Sequence, residues 1–134
     1  MPDNRRASRE KAFALLFELS FHPGETIPSL AAYAGEGDES PGVDGFAMRL
    51  AETAAEHLQE LDDAIAKRLK GWKLSRISRV SHALLRLAVC EMLYFGDIPV
   101  GASINEAVEL AKTYGDADAP RFINGVLGSI AREL

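Results

Sequence analysis

The fold is decided by residues 79–94, RVSHALLRLAVCEMLY. On a helical wheel, the apolar side chains of this stretch cover nearly every direction, from Val80 to Leu93. A helix that is apolar on all sides is buried, because none of its faces is suited to contact with water. The sequence therefore predicts a central helix over about 79–95, ended by Gly96, with other helices packed around it.

Two charged residues, Arg86 and Glu91, lie within this apolar stretch. An unpaired buried charge is strongly destabilising, so each is expected to have an oppositely charged or hydrogen-bonding partner. We interpret both as structural residues rather than as parts of a functional site. Cys90 on the same helix is interpreted as a small core residue, because no exposed, electropositive setting typical of a reactive thiol is evident.

Two further helices are predicted after the central one. A turn at 97–99 separates them from it, and Ser103 with Glu106 has the spacing of a capping box that opens a helix. Gly115 is expected to end that helix, and Pro120 suits the first turn of the last one.

The chain before the central helix also has a helical period of apolar residues. It predicts helices over about 5–21 and 28–34, a polar glycine-rich loop at 35–42, and a helical stripe over 46–69 with a break near 57–59. Serines in the connector KLSRIS, residues 73–78, can cap the helix that follows.

No alternating strand pattern of useful length is found, so the sequence predicts an all-α protein of six or seven helices. Its 134 residues suit one domain, 1–134, with an N-terminal half of about 1–71 and a C-terminal half of about 78–134. No segment has the roughly 20 apolar residues of a membrane helix, and the N-terminus lacks the features of a secretory signal. We therefore expect a cytoplasmic protein.

Charge is unevenly distributed along the chain, although the net charge is −5. Residues 25–63 contain ten acidic residues and a single base, Arg49, whereas residues 64–90 contain seven bases and no acid. A second basic group lies at the N-terminus and consists of Arg5, Arg6, Arg9 and Lys11. Such runs are either solvated surface or binding surfaces for acidic partners.

Nothing in the sequence supports catalysis. The three histidines are scattered with no cysteine or carboxylate at ligand spacing, so no metal site is predicted. Cys90 is the only cysteine, which excludes an intramolecular disulfide and a thiolate zinc cluster. The glycine-rich phosphate loops and the serine-nucleophile motif are absent. We expect a protein that is not an enzyme and needs no cofactor.

The N-terminal arginines are the first candidate binding residues. On the wheel, Arg5, Arg9 and less closely Arg6 fall on the side of Phe13 and Phe17, at the edge of the core. They also stand at a helix N-terminus, where the dipole disfavours cations, so a bound anion such as a phosphate backbone would be stabilised there. The alternative is a flexible basic tail.

Phe122 is the second candidate. It lies at the rim of the apolar stripe of the last helix, beside Arg121. An aromatic ring in that position can stack on a nucleobase, or it can be a peripheral core residue.

These stretches resemble the NusB family of bacterial transcription antitermination factors. The resemblance is carried by RVSHALLRLAVCEMLY, DIP, SINEAVELAKTYG and FINGVLGSIARE in residues 79–134, and by the start RRASREKAFALLFEL. It implies an all-α fold of about seven helices in two perpendicular subdomains. It also implies binding of boxA RNA in nascent rRNA transcripts, pairing with the small-subunit ribosomal protein NusE, and action within an RNA polymerase antitermination complex.

The resemblance assigns roles to single residues. Those matching the RNA-binding positions of the family are Arg5, Arg6, Arg9, Asp118, Arg121 and Phe122. Those expected to border the NusE surface are Arg76, Arg79, Ser81 and His82, where the family often has an acidic residue at 81 and a basic one at 82.

Two alternatives accompany this interpretation, and a homodimer is compatible with it. The chain could be a protein–protein interaction module whose basic block, 67–86, docks an acidic partner without touching RNA. It could be a subunit or relic of an RNA-modifying enzyme. Some relatives self-associate, and a homodimer would hide the N-terminal arginines.

Overall fold

A computed structural model describes residues 5–35, 44–71 and 73–134. Across these ranges the chain is all-α, with seven α-helices, one short 3-10 turn and no strand. The helices are α1 (Arg5–Phe21), α2 (Ile27–Gly35), α3 (Gly45–Glu56), α4 (Leu58–Ala66), α5 (Arg79–Tyr94), α6 (Val100–Tyr114) and α7 (Ala119–Ala131), and the 3-10 turn spans Leu74–Arg76. The predicted loop at 35–42 lies, apart from Gly35, outside the described residues.

The central helix is α5, as the sequence predicts. Its residues from Ala83 to Met92 are buried with the exception of Arg86, and it packs against α1, α3, α4, α6 and α7. Its two ends reach the surface, where Arg79 in the first turn and Leu93 and Tyr94 in the last turn are exposed. Because helices from both sides of the connector pack on α5, the division into two halves stays a prediction. No helix in the described ranges is long and apolar enough to cross a membrane.

Local contacts explain where α3 and α5 begin and where α3 gives way to α4. The carboxylate of Asp44 accepts a hydrogen bond from the Ala47 N–H at 2.9 Å and so caps α3. The predicted break near 57–59 is confirmed at His57, which ends α3 and precedes α4. Ser78 in the connector caps α5 by accepting from the Ser81 N–H at 3.0 Å, so a predicted serine cap is confirmed.

The start of α6 differs from the prediction. The helix begins at Val100, directly after Pro99, so Ser103 lies inside the helix and is not its cap. Ser103 is 2% exposed and its hydroxyl donates to Glu91 Oε1 at 2.9 Å. The serine–glutamate spacing of a capping box was therefore misleading here, because this serine serves a buried carboxylate.

The corner between α6 and α7 agrees with the sequence. Gly115 ends α6, and a side chain at this position would lie 2.5 Å from Ala119 Cβ and 2.9 Å from the Ala111 carbonyl oxygen. Only glycine fits such a close approach. Pro120 stands in the first turn of α7, as predicted.

The expected partners of Arg86 and Glu91 are present. Arg86 donates two hydrogen bonds to Asp62 on α4, at 2.8 and 2.7 Å. Glu91 accepts two from Arg9 on α1, at 2.7 and 2.9 Å. Burial also raises the pKa of the Cys90 thiol to about 12, which fits the interpretation of that cysteine as a core residue.

Candidate nucleic-acid interface

The arginines at the start of α1 each meet a carboxylate from the C-terminal part of the chain. Arg5 Nη2 lies 3.7 Å from Asp97, in the turn after α5, and Arg6 Nε lies 2.9 Å from Glu106 on α6. Arg9 pairs with Glu91 on α5, as described above. These ion pairs hold the first two turns of α1 against α5 and α6.

Exposure separates the three arginines. The Arg6 side chain is 60% exposed and that of Arg5 is 39% exposed, whereas Arg9 is 2% exposed. Both Arg5 and Arg6 can therefore meet a ligand in solvent. The predicted direct RNA contact at Arg9 needs correction, because a buried carboxylate on the central helix requires a cation and Arg9 supplies it.

An aromatic ring lies among the same arginines. The guanidinium carbons of Arg5, Arg9 and Arg49 lie 4.8, 5.9 and 5.9 Å from the centre of the Phe46 ring. Phe95 packs edge-on against Phe46 with the ring centres 5.8 Å apart. Sequence reasoning missed the role of Phe46, and the only available signal was Arg49, the lone base among the acids of 25–63.

The start of α7 carries the other predicted RNA residues. Asp118 occupies the N-cap position, where it is exposed and its N–H donates to Asp116 Oδ1 at 3.0 Å. Arg121 is exposed, and Phe122 is half-buried and packed against the core. Phe122 thus lies at the rim of the core, which fits both alternatives considered for it.

The corner residue Tyr114 connects the two regions. Its hydroxyl donates to Glu10, and its ring centre lies 5.1 Å from that of Phe13. The α6–α7 corner therefore lies beside the second and third turns of α1. Tyr114 therefore lies between the arginines at the start of α1 and the start of α7 along the chain of contacts that the structure shows.

The predicted partner residues lie near the opposite end of α1. Arg79 Nη1 donates to the Ser20 carbonyl oxygen at 2.8 Å, and its guanidinium lies 4.4 Å from the centre of the Phe21 ring. Arg76 is exposed in the 3-10 turn. His82 is half-buried, with Nε2 2.7 Å from Asp62 Oδ1. Ser81 is 5% exposed, so its side chain is buried, and its place at the border of a partner surface stays a prediction.

A groove of about 640 Å³ opens beside Arg79. Its basic lining comes from α5, with Arg79, His82 and Arg86, and its acidic lining includes Glu52 and Glu56 of α3. Burial raises the pKa of Asp62 behind it, but hydrogen bonds from Arg86 and His82 outweigh that effect and lower the pKa to about 2. In the described part of the chain, no group of three or more histidines, cysteines or acids could hold a metal ion.

The surface arginines at the start of α1 give this small all-helical protein, of net charge −5, a local basic surface suited to an anionic ligand. Comparison with known families gives the particular family. The NusB family model matches residues 6–132, and the chain belongs to this family. That family is one of transcription antitermination factors and is not known as an enzyme family.

Relatives match over nearly the whole chain. The transcription antitermination protein NusB of Carboxydothermus hydrogenoformans is 44% identical over 98% of this chain and 94% of its own length. NusB of T. maritima, a solved structure, has a TM-score of 0.83 and 36% identity, covering 99% of this chain and 94% of its own. A solved complex of the antitermination factors NusB and NusE with dsRNA matches with a TM-score of 0.83 and 29% identity, covering 97% of each chain.

Proposed function

We propose that this protein is a cytoplasmic, non-enzymatic transcription antitermination factor that binds boxA-type RNA of nascent rRNA transcripts together with NusE. The observation that carries the proposal is the position of Arg5 and Arg6, whose guanidinium groups are held at the surface of the helical core by carboxylates. The relative solved with NusE and dsRNA supports the choice of partners. Action within an RNA polymerase complex is part of the same proposal.

RNA binding at the start of α1 replaces the carboxylate partners of the surface arginines with RNA phosphates. Asp97 and Glu106 neutralise Arg5 and Arg6 in the free protein, and RNA phosphates replace or join these carboxylates. Arginine forms short, charge-assisted hydrogen bonds to phosphate oxygens, often two at a time. The start of α1 has no acidic residue in its first turn, so its dipole also favours an anion.

The start of α7 supplies the second element of the site. Arg121 is exposed beside Phe122, whose half-buried ring can stack on an unpaired base while its other side stays against the core. Asp118 adds a negative charge at the edge of this surface and weakens phosphate binding there. Electrostatic attraction at α1 and stacking at α7 together suit single-stranded RNA.

The proposal predicts two separable effects on RNA affinity. Changing Arg5 and Arg6 to Ala should weaken binding to all RNAs and reduce the slope of log affinity against log salt by roughly 0.7 per lost phosphate contact. Phe122→Ala should cost about 1–3 kcal/mol of binding with little change in that slope. The measurement is RNA affinity across a salt series, with NusE in every sample.

Arg132→Ala is the matched control, since Arg132 is an exposed arginine at the far end of α7. Circular dichroism melting checks that each variant is folded.

If boxA-type RNA and scrambled RNA bind equally poorly to the wild type, the protein is an interaction module without RNA contact. A salt series in which the arginine and Phe122 variants match the wild type would place the RNA site elsewhere. Sedimentation of the wild type tests the homodimer, which would cover Arg5 and Arg6.

A further inference from the structure

We propose that Arg49 and Phe46 on α3, together with Arg5, form an additional RNA subsite that binds one phosphodiester group. The inference rests on the proposed function, because it extends the RNA path from the start of α1 onto α3. It adds Arg49 and Phe46, which lie outside the two regions that the sequence pattern and the family resemblance indicate.

The first observation is the convergence of two cations on one ring. The guanidinium carbons of Arg5 and Arg49 lie 4.8 and 5.9 Å from the centre of the Phe46 ring. Arg5 comes from α1 and Arg49 from α3, and the two helix starts are joined where Ser8 donates to Asp44 Oδ2 at 2.7 Å. Two guanidinium groups from different helices therefore lie beside the same half-buried aromatic ring.

The second observation concerns the charge of Arg49. Its side chain is exposed, and among the described residues it has a contact with the Phe46 ring but no carboxylate within ion-pair distance. Its guanidinium reaches back over the first turn of α3, where a methyl group on Gly45 would lie 3.8 Å from Nη1. A cation is disfavoured at a helix N-terminus, so an anion bound between Arg49 and Arg5 would be stabilised by both.

Of the acids in the described part of the chain, Asp44 is held by other groups and Asp97 is only weakly paired. Asp44 is engaged as the cap of α3, and the hydrogen bonds from the Ala47 N–H and Ser8 lower its pKa. Asp97 is 70% exposed and lies 3.7 Å from Arg5, a distance typical of a weak surface ion pair. A phosphate can displace Asp97 at little cost, because that carboxylate regains full hydration.

RNA is the ligand that fits the arrangement best. Arg5 belongs both to this group and to the proposed RNA-binding surface at the start of α1. The group combines phosphate-binding cations with an aromatic ring, as single-strand binding surfaces do. Arg49 is also the only base among the ten acids of residues 25–63, a region that would otherwise repel a polyanion. A single phosphodiester bound here would let the strand pass from α1 across the start of α3.

The test compares single variants with boxA-type RNA in the presence of NusE across a salt series. Arg49→Ala is expected to lower RNA affinity several-fold at low salt and to reduce the salt slope by about 0.7, the effect of one lost phosphate contact on a single strand. Arg49→Lys should retain most of the slope, since it keeps the charge, and Arg49→Glu should weaken binding most. Arg132→Ala serves as the matched control, and Arg6→Ala reports on the proposed site itself.

The outcomes distinguish the inference from the proposed function. If Arg6→Ala weakens RNA binding while Arg49→Ala behaves like Arg132→Ala at every salt concentration, the subsite does not exist and the proposed function stands. If the wild type binds no RNA, the proposed function fails and the subsite fails with it. A change in NusE affinity at Arg49→Ala with unchanged RNA affinity would show a protein contact in its place and overturn the inference.

Discussion

The pair of Arg9 and Glu91 shows how one residue can resemble a binding group and serve the core. Both side chains are 2% exposed, and the Ser103 hydroxyl donates a third hydrogen bond to Glu91. The basic start of the chain therefore has two surface arginines, Arg5 and Arg6, and one structural arginine beneath them. Sequence alone placed all three together, because the helical wheel gives the side of a helix but not the depth of a side chain in the packed protein.

Removing one member of this pair should destabilise the protein strongly. Arg9→Ala leaves the Glu91 carboxylate in the core without its guanidinium partner, and breaking a buried pair costs about 3–5 kcal/mol. The check is the free energy of unfolding from a urea titration, with the exposed Arg6→Ala as control, for which a change under about 1 kcal/mol is expected. Equal stability of Arg9→Ala and wild type would show that the pair contributes no net stability.

The stability of the protein at acidic pH is expected to depend on Asp62. The pKa of Asp62 lies at about 2 in the folded protein, below its ordinary value of 3.8, because hydrogen bonds from Arg86 and His82 outweigh the effect of burial. A group with a depressed folded-state pKa contributes stability that is fully present above its unfolded pKa and is lost as the pH falls through the folded value. Asp62 should therefore contribute above pH about 4 and lose its contribution between pH about 4 and 2.

Asp62→Asn is the variant that tests this. It should be less stable than wild type at pH 7, and the difference in unfolding free energy should shrink as the pH falls toward 2. Asp63→Asn is the matched control, because Asp63 is an exposed neighbour on the same helix. A stability difference between wild type and Asp62→Asn that is independent of pH over this interval would contradict the assigned pKa.

At the scale of elements, the sequence predicted the helices well where local chemistry controls them. The all-round apolar pattern of 79–94 identified α5, and Ser78, Gly115 and Pro120 acted at helix ends as expected. The error at Ser103 has a clear cause: a serine three residues before a glutamate suits a cap, but it equally suits a hydrogen bond to a buried carboxylate. The packing of α5 against α6 brings Glu91 within hydrogen-bond distance of Ser103, and the sequence alone does not show this contact.

The sequence likewise predicted one part of the candidate site and missed another. The grouping of Arg5, Arg6 and Arg9 at the start of α1 follows from helical periodicity, so the sequence could predict it, but not which of the three is buried. The approach of Arg49 and Phe46 to Arg5 depends on how α3 packs against α1, through contacts between residues about 40 positions apart, and periodicity carries no information on such contacts. The burial of Ser81 was likewise missed, because its place on the inner side of α5 follows from the packing of that helix.

At the scale of the whole molecule, α1 joins two surfaces of different character. Its start carries Arg5 and Arg6, and its end, 15 residues and about 22 Å further along, receives the hydrogen bond from Arg79 to Ser20. The first surface is proposed to bind RNA and the second, with the exposed Arg76, is predicted to border NusE. Because the distance exceeds the Debye length of about 8 Å at physiological salt, charges at one end should have little direct effect on the other.

This separation predicts that NusE binding can be weakened without a change in RNA binding. Reversing the charge of Arg76 and Arg79 to Glu should weaken NusE binding, chiefly by slowing association, because charges at the rim of an interface steer the encounter of the two proteins. RNA affinity measured without NusE should stay at the wild-type value. The measurement is NusE association by surface plasmon resonance at several salt concentrations, beside Arg132→Glu as a charge-matched control.

Arg76→Glu alone separates the charge effect from the loss of the Arg79 hydrogen bond to α1, since Arg76 is exposed in the connector. Unchanged NusE binding in both variants would move the interface away from the connector and the start of α5, whereas a parallel loss of RNA binding would show that the two surfaces are coupled through α1.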